Sequence, residues 1–346
     1  MNLGSLLYQL ETEILVLIAK LVSQGDLTKA NAQIKLLAQM GTLNSQIMTL
    51  VLQYRAAAIS MTKEQIEQAA QDMLKKVNTS LPVPVAQPQG WFDRAVDTWV
   101  RTAATQADLT MSTLAANAGR VYSDIIARAY AIQLSGDLTR FGAMAKAVTE
   151  WGQSGLAAFV DKAGRTWGPE ATANMIIRSN QRRVATQIMF DRGDQAGTDL
   201  IEVSSHMGAR PGCAPYQGRI YSRRGADPNY PPLSSTTYGQ PDGLFGINCR
   251  HVAYPFFPGI SEQRNRPLPD KANSEAYKQS QEQRRLERGV READREYKAL
   301  KAMGPEAKAD AAAALSKKKA AENKVNDFIA ETGRTRRENR EKALIF

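Results

Sequence analysis

The sequence predicts a mainly α-helical protein with one small, irregular β-rich module. In order, it comprises an elongated helical N-terminal region, a compact histidine/cysteine module and a charged C-terminal helix. Three observations predict this. Apolar residues recur at helical spacing, beginning with Leu3, Leu6, Leu7, Leu10, Ile14, Leu17, Ile18 and Leu21. Aromatic residues are only 7% of the chain while hydrophobic residues are 43%, so the core must be built from Leu, Ile, Val, Met and Ala, which suits packed helices. Residues 204–260 lose that periodicity and are dense in Gly, Pro, Tyr, Ser and Asn.

The elements follow in order. Gln24-Gly25-Asp26 closes the first helix, with Gly25 suited to a helix C-terminus. A second periodic stretch spans about Leu27 to Met40, and Gly41-Thr42 reads as a break and N-cap. A third stretch carries Leu43, Ile47, Leu50, Val51 and Tyr54, and Thr62 with Gln65 reads as a capping box for a helix to about Val77. Pro82, Pro84 and Pro88 put three prolines in seven positions, which favours an extended, semi-rigid linker. Trp91 to about Leu134 is again helical, and Gly136-Asp137 makes a turn. Helix signals resume near Leu138 and run through Ala157, Phe159 and Val160. Ala171 to Phe190 is a further helix, stopped by Arg192-Gly193-Asp194.

The character changes at Gly197. Leu200-Ile201-Glu202-Val203 is a short strand, followed by the turn-rich window. Beyond Ser261 the chain is charged and helical. Leu286, Val290, Ala293, Tyr297 and Leu300 alternate steps of four and three, a short heptad-like seam, and Glu287 stands four residues before Arg291. These shifts divide the chain into a helical region 1–80, a proline-rich linker 81–90, a helical domain 91–196, a β-rich His/Cys module 197–260 and a basic helical tail 261–346.

The formal net charge is +10, with a sequence pI near 9.5, which points to a polyanionic partner or simply a basic surface. Residues 261–346 carry 21 Lys and Arg against 15 Asp and Glu, densest at Lys317, Lys318 and Lys319 and at Arg334, Arg336 and Arg337. These six are the candidate contacts to nucleic acid, against the simpler reading of a solvated, mixed-charge helix. The early apolar run Ile14–Ala19 is far short of the roughly 20 residues that span a bilayer, and no signal-peptide pattern opens the chain, so it reads as cytosolic when made. Neither a GxxxxGK[ST] loop nor a strand-bound GxGxxG fingerprint is present, which excludes the common nucleotide-binding classes.

The chain has two histidines and two cysteines, and all four fall within 46 residues: His206, Cys213, Cys249 and His251. His and Cys are the usual ligands of tetrahedral zinc, and a small, loop-rich module gains folding free energy from a bound metal. The spacing is not that of a standard zinc finger, and the same four residues also suit a locally hydrogen-bonded core. A Cys–His nucleophile pair, oriented by Asn248, is a third reading, weakened by the closeness of Cys249 and His251 in sequence. A metal nuclease is a fourth, with Glu202, Asp227 and Asp242 as its few acidic candidates. No recognition helix with base-reading residues supports a transcription regulator.

Ser204-Ser205-His206-Met207-Gly208-Ala209-Arg210-Pro211, then Cys213-Ala214-Pro215-Tyr216-Gln217-Gly218 and Tyr221-Ser222, resembles the phage minor capsid protein 2 family. So do Tyr230-Pro231, Tyr238-Gly239, Asp242-Gly243-Leu244, Gly246 and Asn248-Cys249-Arg250-His251 leading to Pro255-Phe256. Upstream, Asp161–Trp167 and Met175–Asn180 are similar to that family's preceding helices. The likeness is dense from about 155 to 300 and loose before 150. This chain has Cys213 where family members often place His; both ligate zinc, which fits a metal role better than a nucleophile. Arg178-Ser179-Asn180 stands where Arg-Thr-Thr is expected. The resemblance implies a non-enzymatic virion protein related in role to the Mu F-like head morphogenesis proteins. Such a protein is present in several copies inside the capsid near the portal and serves assembly, packaging or ejection. Its partners would be the portal, other head proteins and packaged double-stranded DNA. The alternative is a metal-dependent DNA-acting enzyme or an ejected effector.

Overall fold

The computed structural model describes residues 2–24, 38–82, 84–135, 138–161 and 164–341. Among these residues are seven α-helices: α1 (Leu3–Gln24), α2 (Met40–Asn78), α3 (Trp91–Ser135), α4 (Arg140–Ser154), α5 (Pro169–Gln195), α6 (Asp270–Ala302) and α7 (Lys308–Thr332). Two small antiparallel sheets complete the fold. One pairs β1 (Phe159–Val160) with β2 (Thr166–Trp167). The other has the order β4 (Ile220–Ser222), β3 (Leu200–Val203), β5 (Ala253–Pro255). The fold is therefore mainly α with a small β-rich module. The expected Gly25 stop, the stretch from Leu27 and the Gly136-Asp137 turn lie outside the described residues.

The chain forms two compact units. One gathers Met1–Ala58, Asp108–Ala173 and Glu282–Phe346; the other gathers Ile59–Ala107 and Asn174–Gln281. This division runs across the linear segments 1–80, 81–90, 91–196, 197–260 and 261–346. Shifts in composition mark where the chain changes character, whereas compact units follow from which helix segments pack together.

In the first unit, Leu3, Leu6, Leu7, Leu10, Ile14 and Ile18 of α1 are buried as their spacing predicts, joined by Leu15, Ala19 and Val22 from the flanks. Each such aliphatic side chain contributes about 1.5–3 kcal/mol on burial. The wide apolar face also takes polar residues inside. Tyr8 Oη donates to Asp294 Oδ2 at 3.0 Å, and Glu11 accepts from the Leu156 amide at 2.7 Å and faces Arg295 at 3.5 Å. Arg295 in turn donates to the carbonyls of Gly152 and Gln153, capping the end of α4. That cap explains a correction. The helix expected to run through Val160 ends at Ser154, because Gly155 sits at φ 71° and a Cβ there would overlap the Glu11 carboxylate. Phe159 and Val160 pair with Trp167 and Thr166 instead.

Three further helix boundaries differ from expectation. α2 is continuous through Gly41-Thr42 and through Thr62, neither of which caps a helix. Its buried seam of Leu43, Ile47, Val51, Ala58, Thr62, Ile66, Ala70 and Val77 continues unbroken, so packing overrides the local capping signal. α5 passes through Arg192-Gly193-Asp194 to Gln195. Arg192 is buried and donates to Asn78 Oδ1 and to the carbonyls of Val85 and Ala86, so this cation fastens the proline-rich segment rather than ending a helix. The single charged C-terminal helix is two, α6 and α7, separated at Gly304 (φ 97°) and Pro305. Glu287 pairs with Arg337 at 2.8 Å, while Arg291 pairs with Glu170 at 3.3 Å, so the expected helical pair is replaced by tertiary ones.

The second unit packs α2, α3 and α5 around Ile66, Val77, Val96, Ile176, Val184, Ile188 and Met189. Trp91 and Trp99 keep their indole N–H groups satisfied by Asp191 and Gln187, both at 2.8 Å. The His/Cys module belongs to this unit. All four residues of β3 are buried, Ile201 lies opposite Tyr221 and Pro255, and the module's core adds Val203, Leu233, Leu244, Phe245 and Ala253 to the two cysteines.

Candidate metal centre

Three loops hung on the β4-β3-β5 sheet carry the candidate ligands. His206 follows β3, Cys213 opens the short 3₁₀ turn Ala214–Tyr216, and Cys249 and His251 lead into β5. The Cys249 loop is tightly constrained. Phe245 and Asn248 both adopt φ 59°, in the left-handed region disfavoured for side-chain-bearing residues. Gly243 and Gly246 are required, because a Cβ on either would overlap backbone oxygens of Thr237 or of Gln240 and Pro241. Strain of this kind persists only where surrounding contacts over-determine it. Here the Phe245 amide donates to Cys249 Sγ at 3.2 Å and the Cys249 amide donates to the Gly246 carbonyl at 3.0 Å.

Ligating atoms of Cys213, Cys249 and His251 all lie within 4.8 Å of one another, and all three residues are buried. The two Sγ atoms are 4.0 Å apart, and Cys249 Sγ is 3.4 Å from His251 Nδ1. A tetrahedral zinc with Zn–S of about 2.3 Å and Zn–N of about 2.0 Å has S–S edges of about 3.8 Å and S–N edges of about 3.5 Å, so these residues fit the ion. His206 is not part of that converging group. Its ring stacks on His251 with centroids 4.5 Å apart, and its Nε2 is buried without a hydrogen-bond partner. A buried unpaired ring nitrogen is costly unless something binds it.

The electrostatics follow from the pairing of the thiols. The Cys249 thiol is held below its ordinary value, first by the hydrogen bond shared with Cys213, against the opposing effect of burial, and then by His251. Cys213 is pushed up by the same hydrogen bond and by burial. The two buried sulfurs thus interact directly, and either can be the donor of the hydrogen bond between them. His206 is lowered by burial and by the neighbouring His251, which keeps its ring neutral and its lone pair available.

Cys249 and His251 therefore do meet, although their closeness in sequence argues against a dyad. Both are buried, Asn248 offers its backbone N–H to Ser179 Oγ, and the second thiol stands beside them. Of the acidic candidates, Glu202 is buried and accepts from the Arg264 amide at 2.9 Å and the Asn265 side chain at 2.7 Å, while Asp227 caps the Asn229 amide at 2.9 Å. Asp242 is exposed.

The candidate nucleic-acid contacts are mostly engaged within the chain. Lys317 and Lys318 bond Glu296 and Asp294, both at 2.7 Å. Arg334 donates to Gln283, Arg336 to Glu341 and Asn326, and Arg337 to Glu287. Lys319 is exposed. Two residues that the sequence reading did not single out stand against the centre: Arg210, which donates to Cys213 Sγ, and Gln217, whose amide oxygen contacts His251. Both fall inside the Ser204–Gly218 stretch that carries the family resemblance.

The chain is mainly helical with a β-module that carries a His/Cys cluster, and comparison with known proteins says which family it belongs to. The profile of phage minor capsid protein 2 matches residues 2–330, and the chain belongs to that family. It is 28% identical over 279 residues to a structural protein of Lactococcus phage LL-H, covering 75% of this chain and 74% of that protein. A structural protein of Lactococcus phage mv4 is 35% identical over 65 residues, 19% of this chain and 53% of the relative. No solved structure matches. The protein is thus a phage minor capsid component. No described helix is long and apolar enough to cross a membrane.

Proposed function

We propose that this chain is a head component that sits inside the capsid near the portal and serves head assembly, DNA packaging or ejection. In this reading its 197–260 module is closed by a structural zinc bound by His206, Cys213, Cys249 and His251. Family membership over residues 2–330 supports the head role. The observation that carries the zinc is the convergence of Cys213, Cys249 and His251 beside the unpaired Nε2 of His206. Bound zinc would displace the thiol protons and cross-link three loops that the sheet alone holds by strands of three or four residues. With His206 Nε2 added to the three converging ligands, the zinc would have no open coordination position, as in a structural and not a hydrolytic centre.

Elemental mass spectrometry on the purified chain tests the metal. One zinc per chain, lost on replacing Cys213 or Cys249 by Ser, is expected; a metal-free wild-type protein sinks the zinc reading. Cross-linking of intact virions tests the location. Cross-links to the portal, together with protection from protease until the head is emptied, are expected. Cleavage in full heads would put the protein on the outside.

The charge surplus of 261–346 suits packaged DNA, where each phosphate contact releases counterions. Of its six candidate cations, Lys319 is the exposed one that forms no ion pair among the described residues.

A further inference from the structure

Zinc-bound imidazoles are normally oriented by a hydrogen bond from their second ring nitrogen, which also fixes the tautomer. Both histidines here carry such a bond. His206 Nδ1 lies 3.3 Å from the Met207 carbonyl, an acceptor only, so Nδ1 bears the proton and Nε2 carries the lone pair. His251 Nε2 lies 3.3 Å from Gln217 Oε1, again an acceptor, so Nε2 bears the proton and the lone pair is on Nδ1, the atom nearest Cys249 Sγ. Gln217 Oε1 also accepts from the His206 amide at 3.0 Å, so one buried carboxamide anchors the backbone of one histidine and the ring of the other. Gln217 is itself fixed. Gly218, at φ 67°, packs so closely on the Arg266 and Pro267 backbone that no side chain fits, and its carbonyl accepts from Gln263 at 2.8 Å.

The two cysteine loops have a comparable tie. Arg210 Nε donates to Cys213 Sγ at 3.3 Å, while its terminal nitrogens donate to the Gly243 carbonyl at 2.7 Å and the Ile247 carbonyl at 2.8 Å. Those carbonyls bracket Phe245, one of the two left-handed residues that shape the Cys249 loop, and the second, Asn248, follows directly. One guanidinium thus contacts the first sulfur and holds the loop that presents the second. A planar fork with several donors does this; a lysine ammonium reaches fewer partners.

We propose that Gln217 and Arg210 are the positioning residues of this centre. Gln217 sets ligation of His251 through Nδ1 and anchors the backbone of His206, whose ring the Met207 carbonyl turns to bind through Nε2, and Arg210 locks the two cysteine loops at ligand distance. This rests on the zinc reading above and adds to it the ligating atoms and the residues that select them.

The test measures Zn²⁺ affinity of the full-length chain by competition with a chromophoric chelator, with far-UV circular dichroism as a check of folding. Gln217→Ala and Arg210→Met are expected to bind zinc roughly 10–100-fold more weakly, the usual effect of removing a partner that orients a ligand. Gln217→Glu, which keeps the acceptor, is expected to stay close to wild type. Wild-type affinity in Gln217→Ala, with one zinc still bound, would overturn the proposal and leave the zinc reading standing. No zinc in the wild type would remove both. Should Gln217→Ala fail to fold, long-range ¹H–¹⁵N imidazole correlations on the zinc-loaded wild type decide instead. His251 protonated at Nε2 and His206 protonated at Nδ1 are expected; His251 ligated through Nε2 would refute the assignment.

Discussion

The helical core around α1 and the His/Cys module both bury polar groups, by opposite means. Around α1, Leu3, Leu7, Leu10, Ile14 and Ile18 supply the apolar burial, and every buried charge named there finds a partner within the chain: Glu11 meets Arg295 and the Leu156 amide, and Asp294 meets Lys298, Lys318 and Tyr8. The module has strands of three or four residues, a small core that includes both cysteines, two non-glycine residues in the left-handed region and a buried ring nitrogen with no partner. The helical core pairs its buried charges internally, although the neutral Ser5 Oγ, Gln9 Oε1 and Trp151 Nε1 are buried there without a partner; in the module the unpartnered atom is a ring nitrogen, a group that can ligate a metal.

The sharpest way to break that contrast is to strip the metal. A strong chelator, or Cys249→Ser, is expected to abolish the cooperative thermal unfolding of the module and leave most helical dichroism in place. Free energies on the order of 10 kcal/mol attach to structural zinc in small domains, so this is the largest effect expected. Unchanged melting with chelator present would reduce the cluster to ordinary core residues.

Next in size is the ionic core. Glu11→Ala leaves Arg295 buried and uncompensated, which costs about 3–5 kcal/mol when a buried pair loses one member. Urea unfolding should show this loss, and it should be partly recovered in the Glu11→Ala/Arg295→Met double variant. Equal losses in the single and double variants would mean that the pair does not act as a unit. This substitution should not alter zinc content.

A smaller effect is the acid limb. Burial pulls the Asp294 carboxyl up, but Lys298 and Lys318 more than offset it, holding the group below its ordinary value. A carboxylate depressed in the folded state contributes stability above its unfolded pKa of about 3.9 and loses it as pH falls through the folded value. Asp294→Asn is therefore expected to lower the melting temperature at pH 7 and to flatten its fall below about pH 4. Glu11 and Glu287, both raised chiefly by burial, have the opposite sign: their contribution is lost as pH rises through their folded values. A wild-type acid limb in the Asp294→Asn variant would show that other carboxylates carry it.

How much of this was legible in the sequence follows the same contrast. The buried face of α1 and the strand Leu200–Val203 could be read directly, and so could the clustering of Cys213, Cys249 and His251, since periodicity and ligand chemistry are local properties; His206 lies outside that converging group. The boundaries at Thr62, Val160 and Arg192 could not. Thr62 caps nothing because its neighbours pack on both sides, α4 stops where Gly155 must admit Glu11, and Arg192 is turned to carbonyls of the proline segment. Gln217 and Arg210 were equally hidden: neither belongs to a ligand class, and their roles exist only once distant loops have closed.

The smallest effect concerns the basic C-terminal region, where charge was legible and pairing was not. Lys318→Glu would set a carboxylate against buried Asp294, so it should destabilise the protein, and any loss of DNA binding in that variant has an internal cause. Lys319→Glu changes an exposed side chain and should move stability by no more than about 0.5 kcal/mol. If Lys319 contacts phosphate, the reversal should weaken duplex binding about equally across sequences and reduce the slope of log affinity against log salt by about one. An unchanged slope in Lys319→Glu beside a reduced one in Lys318→Glu would mean that the basic patch serves the fold, and that any DNA contact lies elsewhere on the chain.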